Sequence, residues 1–537
     1  MSKYLKIISK ELSFFLIAIS LSYFVYALIP YFTMQLFEGR FALALWGYTI
    51  CLALHVLFAY LGNILQVRWK VKYEGALKTD YFDAVTSLNF ETFSKKKVGE
   101  YISFQANDIP TIVNDYLNPL VAIVTSVINI ILTFGVISIT LNFYVGFILA
   151  IFATVGVFLP KSLSKTTAKK RELYLEQQKK YYTAIEELFN GFKVINGRTK
   201  HSINNKHGEH LGKVLRQRYE FGKASSLMWA LNGLGAESLN YAAFLYLGYL
   251  TFRGSITAGF AIATFQYAKG LSDPVHEILY SRSMIKSSKG LIEDYLRFTE
   301  KFSSATQQLQ KRKINSYEKL HLFNVNKNYD NFRLSDINIE FERNKKYAFI
   351  GLNGSGKTTL FNILSRYIIQ DSGDFKIDCD IIDSIDDNVI IGSMSQEEYI
   401  FSDSFHDNVT VYGSYEILDS NIFIEDAANF INCKNCSALS GGQKKILGLC
   451  RLMNKNTPIV LLDEPFAHVD ENRKEVLFDK LVSLNKTVIV VTHDIGESLS
   501  KFDKVLFFDK GQLLYSATYD EIKKTKEFNN LKNAGKL

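Results

Sequence analysis

Charged residues are unevenly spaced along this chain, and the gaps between them divide it into two parts. Residues 116–160 contain no Asp, Glu, Lys, Arg or His, a run of 45 positions. Residues 12–37 are equally uncharged, 41–67 hold only His55, and 224–252 hold only Glu237. A helix needs about 20 predominantly apolar residues to cross a bilayer. The pattern therefore predicts spanning helices near 13–36, 41–65, 117–139, 143–162 and 226–251, with the long run turning back near Asn142. A sixth span near 255–275 has an uncharged stretch of only 254–268. It must carry Lys269, and Asp273 lies four positions on, spaced to pair with it. The alternative is a set of buried helices in a soluble core, and 45 uncharged residues argue against it.

From about residue 318 the pattern changes. Short apolar runs alternate with helical periodicity, as in a parallel α/β sheet. The polar stretch 301–317 between the two parts reads as a linker. The chain thus reads as a six-helix, all-α membrane domain over 1–300 with long cytoplasmic extensions, fused to a P-loop α/β domain over 318–537.

Basic residues set the orientation. Lys3, Lys6 and Lys10 precede the first span, and Lys95, Lys96 and Lys97 lie in the basic segment 66–116. The segment 161–223 is equally basic, and the remaining loops are short. Both termini and both long segments are expected in the cytoplasm, and the bilayer is an expected partner. The net charge of +8 is accounted for by this bias, so nucleic acid is not an expected partner. Low proline with abundant Lys, Asn and Ile hints at a bacterial chain. No cleavable signal is evident, because Met1 leads straight into the first span. The five cysteines are scattered, and Cys433-x-x-Cys436 has no second ligand pair for zinc. A reducing compartment would leave them as free thiols.

Candidate chemistry begins at Gly351-Leu352-Asn353-Gly354-Ser355-Gly356-Lys357-Thr358-Thr359. An apolar run, Tyr347–Ile350, precedes it and a helical pattern over Thr359–Ile368 follows. Strand, glycine loop and helix form the context of a phosphate-binding P-loop. Its glycines let backbone N–H groups turn around a phosphate, and the helix start adds its dipole. Lys357 supplies charge to the outer phosphates, and the Thr358 hydroxyl suits Mg²⁺. The run Ile459–Leu462 reads as a buried strand that ends in Asp463 and Glu464. Asp463 suits Mg²⁺, and Glu464 can polarise an attacking water.

Leu439-Ser440-Gly441-Gly442-Gln443 opens a helical pattern over Lys444–Met453. Here the chain resembles the ATP-binding cassette (ABC) transporters, and specifically half-size exporters. The resemblance implies that this loop caps ATP bound to the P-loop of a second cassette, so that one cassette per chain requires a dimer. It further implies that Tyr329, 22 residues before Gly351, stacks on adenine. Gln396 resembles the glutamine that senses Mg²⁺ and the attacking water, and His493 the histidine at the γ-phosphate. Ala467-His468-Val469-Asp470 resembles the loop between paired cassettes, Asp470 being its acid. The first cytoplasmic loop of exporters is matched around Phe93–Ser103, and the second around Leu188–Ile195.

Two departures stand out. Only 44 positions separate Gln396 from Ser440, fewer than is usual, and the acidic-glycine segment before the signature is replaced by Cys433–Ala438. Asn344 stands where a glycine is frequent, and Asn tolerates left-handed backbone. Within the spans, Glu237 must face protein or water and is either a substrate contact or a paired structural acid. His55 reads as structural, and the aromatics of the last two spans as helix packing for the most part.

The expected function is ATP-driven export of a peptide, lipid or hydrophobic small molecule by alternating access, with ATP and Mg²⁺ as cofactors and the bacterial plasma membrane as location. A homodimer is expected, and a heterodimer stays open. The alternative is an ATP-gated channel or regulatory membrane ATPase that does not pump. An importer would require a separate permease.

Overall fold

The computed structural model describes residues 2–141, 143–144, 147, 164–303, 317–329, 331–378, 380–381, 390–467, 469 and 471–534. Most of the fourth expected span, most of the linker, His468 and Asp470 lie outside them, as does the side chain of Glu237. The chain forms two compact units, Met1–Ser87 with Lys96–Ser303, and Leu88–Lys95 with Ser304–Leu537.

The first unit is helical throughout. Helices α1 (Ser2–Phe37) and α2 (Phe41–Thr86) turn at Gly39, whose φ of 84° suits a residue without a side chain. Helix α3 (Phe90–Phe93) falls in the second unit. Helices α4 (Val98–Ser103), α5 (Ile109–Ile112) and α6 (Asn118–Thr140) are joined by two π-helical segments, Phe104–Asp108 and Val113–Leu117. Three long helices follow: α7 (Ser164–Asn190), α8 (Lys200–Phe252) and α9 (Ala258–Ser303).

Among the described residues, Lys3–Phe37, Phe41–Thr86 and Val98–Thr140 are long and apolar enough to cross a membrane. Large apolar side chains on α2 point outward, including Trp46, Ile50, Val56 and Tyr60. A water-facing helix would not carry such a surface, whereas lipid covers it without penalty. Small residues allow close helix approach. A Cβ on Gly47 would lie 2.2 Å from the Phe32 ring, and one on Gly259 would lie 3.0 Å from the Met34 carbonyl oxygen. Ala27, Met34, Val136, Ile137, Ala263, Tyr267 and Leu271 pack as one apolar cluster of this unit.

Polar ties join the same helices. His55 Nδ1 lies 2.9 Å from Ser22 Oγ, which gives it the structural place its sequence context suggests. Tyr4 donates to Asp80 at 2.8 Å and lies 2.9 Å from the Tyr295 hydroxyl. Arg171 pairs with Asp115 in the second π segment and donates to Ser287 Oγ at 2.6 Å. Lys269 and Asp273 correct an expectation: both are exposed, and no ion pair joins them among the described residues. Exposed side chains at i,i+4 spacing are free to take other rotamers, so the spacing did not decide their geometry.

The second unit holds two sheets. One is antiparallel, order β2-β1-β4-β5, from β1 (Lys319–Tyr329), β2 (Phe332–Glu342), β4 (Ser372–Ile377) and β5 (Asp380–Ile381). The other has the order β10-β9-β3-β8-β7-β6, from β3 (Lys346–Gly351), β6 (Ile391–Met394), β7 (Ile459–Asp463), β8 (Thr487–Val491), β9 (Lys504–Asp509) and β10 (Gln512–Ala517). Five of its six strands run parallel; β10 pairs antiparallel with β9. Every residue of β3, β7 and β8 is buried, as expected of a parallel sheet covered on both faces. Helices α10 (Lys357–Leu364), α11 (Phe405–Thr410), α12 (Gly441–Asn454), α13 (Glu471–Ser483), α14 (Tyr519–Ile522) and α15 (Lys526–Ala534) complete it. Asn344 adopts φ 61°, the left-handed backbone its residue type allows.

Candidate functional site

The site is built at the carboxyl ends of β3, β7 and β8, where open parallel sheets hold their ligands. Strand β3 ends at Gly351 with φ 148°, and a Cβ there would stand 2.2 Å from the Phe508 carbonyl oxygen. Only glycine passes this point. Gly356, at φ 105°, caps α10, and a Cβ on it would meet Leu334 and Phe332 at 2.9 and 3.0 Å. The helix therefore begins at Lys357, two residues earlier than the sequence pattern gives, and ends at Leu364 because Arg366 turns to φ 57°. Lys357 lies in the first turn, with its Nζ donating to the Gly351 and Leu352 carbonyls at 2.8 and 2.9 Å. Burial lowers its pKa, and Asp463 and Glu464 oppose that shift.

Asp463 closes β7 and is only 7% exposed. Burial first, and then the adjacent Glu464, push its pKa up to about 6. Its carboxylate accepts no hydrogen bond among the described residues, an arrangement that suits a cation. Glu464 adopts φ 46°, a left-handed conformation that costs a non-glycine residue energy and marks functional positions. Its N–H donates to the Val491 carbonyl at 3.0 Å, which ties the residue after β7 to the end of β8. Gln396 Nε2 donates to Glu464 Oε2 at 2.9 Å, and His493 Nε2 lies 3.0 Å from Glu464 Oε1. Three residues far apart in sequence thus meet at one carboxylate.

A cleft of about 540 Å³ is lined by Asn353–Thr359, Gln396, Asp463, Glu464, Val491, His493 and Phe332. That volume suits a nucleotide-sized ligand. Lining and loop together bring Asn353, Gly354, Ser355, Gly356, Lys357, Thr358, Thr359, Gln396, Asp463, Glu464 and His493 into one place, with Gly351 at its root. Tyr329 ends β1 half-exposed and does not line the cleft, whereas Phe332 does. Asp470 lies outside the described residues.

Ser440, Gly441, Gly442 and Gln443 do not line this cleft either. They form the start of α12, where Ser440 and Gln443 cap each other. Gln443 N–H donates to Ser440 Oγ at 3.3 Å, and Ser440 N–H to Gln443 Oε1 at 2.9 Å. This box starts the helix three residues before the sequence pattern does.

Some supporting residues have no sequence signal. Lys445, one turn into α12, is buried and donates to the Gln396 carbonyl at 2.5 Å. Burial lowers its pKa as well. Arg451 meets Glu398 at 3.0 Å and Asn408 Oδ1 at 2.9 Å. These contacts tie the Gln396 loop to the same helix that carries Ser440. They depend on the tertiary fold, and no local spacing announces them.

Two family descriptions match the chain: "ABC transporter transmembrane region" over residues 8–275, and "ABC transporter" over residues 334–467. The chain belongs to the ABC transporter family. It is an exporter-type half-transporter, with membrane region and cassette fused in one chain, and it couples ATP hydrolysis to transport. The Streptococcus pneumoniae protein exp8, assigned as an ABC transporter ATP-binding protein, is 26% identical over 502 residues, covering 87% of this chain and 84% of that one. The ATP-dependent lipid A-core flippase of Francisella tularensis is 24% identical over 509 residues, covering 86% of this chain and 79% of the flippase. A solved bacterial Atm1-family ABC exporter with ATP bound has the same fold, with a TM-score of 0.82 over 99% of both chains at 16% identity.

Proposed function

We propose that two copies of this chain clamp two ATP molecules, each between the Lys357 loop of one cassette and Ser440 of the partner subunit. The observation that carries this reading is the division of the site. Lys357, Asp463, Glu464, Gln396 and His493 converge on one cleft, and the capped Ser440 loop lies outside it. A helix start with Ser and two glycines suits phosphate.

Within each cleft the roles follow from position. Lys357 exchanges its backbone carbonyl partners for phosphate oxygens. Glu464, oriented by Gln396 and His493, holds the attacking water and accepts its proton. Thr358, Asp463 and Gln396 are the residues that would hold Mg²⁺, which neutralises charge on the transferring phosphoryl group. Tyr329, beside the cleft at the end of β1, stacks on the adenine. Closure of the dimer around ATP, and its release after hydrolysis, shift the membrane helices between inward and outward access. The cassettes and both termini face the cytoplasm of a bacterial cell, as the basic segments suggest. The cargo is a peptide, lipid or hydrophobic small molecule; the flippase relative and the exposed apolar helices favour an amphipathic one.

Inverted membrane vesicles test the reading. Uphill accumulation of a labelled amphipathic cargo that is lost in Glu464→Gln supports a pump. Nucleotide-dependent current without accumulation would favour a gated channel. Cross-linking of Ser440→Cys to a cysteine introduced in the P-loop, read as dimers on a gel, separates homodimer from heterodimer assembly.

A further inference from the structure

We infer that Cys433 and Cys436 form a reversible thiol–disulfide pair whose closure displaces the Ser440 loop. The pair is a redox modification site whose co-reactant is a low-molecular-weight disulfide. The inference rests on the reading of Ser440 given above for its effect on turnover, but not for formation of the bridge.

Four observations carry it. The two cysteines are three positions apart, the spacing found in exchangeable dithiols. Cys433 is half-buried and reachable from solvent, and Cys436 is fully buried behind it. Burial first, and then the neighbouring Cys433, raise the Cys436 thiol to about 11. Cys436 is also where the signature segment is anchored. Its N–H donates to the Asp403 carbonyl at 3.0 Å, and its carbonyl accepts from Leu439 N–H at 3.3 Å. Asn435 caps this single turn, Cys436–Ala438, by accepting from Ser437 N–H at 3.0 Å. Ser440 follows directly as the cap of α12.

The chemistry balances as two exchanges. Cys433 loses its proton, and its thiolate attacks one sulfur of the small disulfide, releasing one small thiolate. Cys436 then loses its proton and attacks the Cys433 sulfur, releasing the second. Two protein thiols are oxidised to one disulfide, one small disulfide is reduced to two thiols, and the two protons leave on those thiols. Closure breaks the contact between Cys433 Sγ and the Asn435 carbonyl, now 3.1 Å, and pulls Cys436 out of the packing it shares with Phe405 and Phe430. The turn that positions Ser440 moves with it.

The test uses the full chain in lipid nanodiscs, equilibrated in mixtures of reduced and oxidised glutathione and then alkylated. Trypsin cuts after Lys434, so the bridge is read by mass spectrometry as two peptides linked through Cys433 and Cys436. The expected result is that linked pair, with ATP turnover lowered at least about fivefold and restored by dithiothreitol. Cys433→Ser, at the more exposed position, should keep the reduced-state turnover and lose the response. A glutathione adduct on Cys433 with no linked pair overturns the inference. A linked pair at unchanged turnover overturns the switch. Ser440→Ala with undiminished turnover would instead overturn the reading of the Ser440 loop and leave the bridge standing.

Discussion

Gln396 donates its side-chain amide to Glu464 Oε2 at 2.9 Å, across 68 positions of sequence. His493 holds the other oxygen of the same carboxylate at 3.0 Å. A carboxylate fixed from both sides is aimed before substrate arrives, so the site spends little of its binding energy on orientation.

Replacing Glu464 by Gln should keep the backbone turn and the contact with Gln396 while removing the base. ATP turnover is expected to fall roughly 10²–10⁴-fold, the range for a positioned general base. Nucleotide affinity, read by a fluorescent ATP analogue, should hold or rise. Turnover within threefold of the parent would remove Glu464 from that role.

Lys357→Ala should abolish turnover for a different reason. Lys357 is 5% exposed and ties its own loop together through two carbonyls, so its loss disturbs both phosphate and loop. Equilibrium binding should weaken together with turnover, unlike the outcome for Glu464→Gln. Full residual hydrolysis would sink the assignment of the whole cleft.

Asp463 predicts a pH signature. An unfolded Asp titrates near 3.9. Burial, followed by the neighbouring Glu464, raises it to about 6 in the fold. Between these values the folded chain binds more protons than the unfolded one. Its contribution to stability is therefore fully present below about pH 4 and lost as pH rises through about 6. Nucleotide-free cassettes should lose this part of their melting temperature across that window, and Asp463→Asn should not. Since only the ionised form holds a cation well, the Mg²⁺ concentration for half-maximal turnover should climb as pH drops below about 6. A flat Mg²⁺ requirement from pH 7.5 to 5.5 would contradict it.

Tyr329→Ala should raise the ATP concentration for half-maximal turnover by about tenfold, the equivalent of roughly 1.4 kcal/mol of lost stacking. Tyr329→Phe should restore the parent value. If Phe332→Ala reproduces the defect and Tyr329→Ala does not, the adenine lies on Phe332, which already lines the cleft.

Much of this was legible locally. The glycine loop after β3 and the acids ending β7 depend on residue type at fixed spacing, and the fold brings them together without surprise. Helix limits were less legible. The pattern placed α10 and α12 too late, because Gly356 and the Ser440–Gln443 box start helices by capping rather than by apolar periodicity. Lys269 and Asp273 had the right spacing and no reason to use it. Phe332, Lys445 and the Arg451–Glu398 pair were illegible because each acquires its partner only when segments distant in sequence are assembled. The two π segments around Pro110 likewise left no mark in the hydrophobic pattern.

The carbonyl grip on Lys357 has a further consequence. A buried ammonium without oxygen partners would be costly. Here two carbonyl oxygens of its own loop, those of Gly351 and Leu352, accept from it. The loop thus neutralises the charge it carries with its own backbone, and its shape is held by the same two contacts.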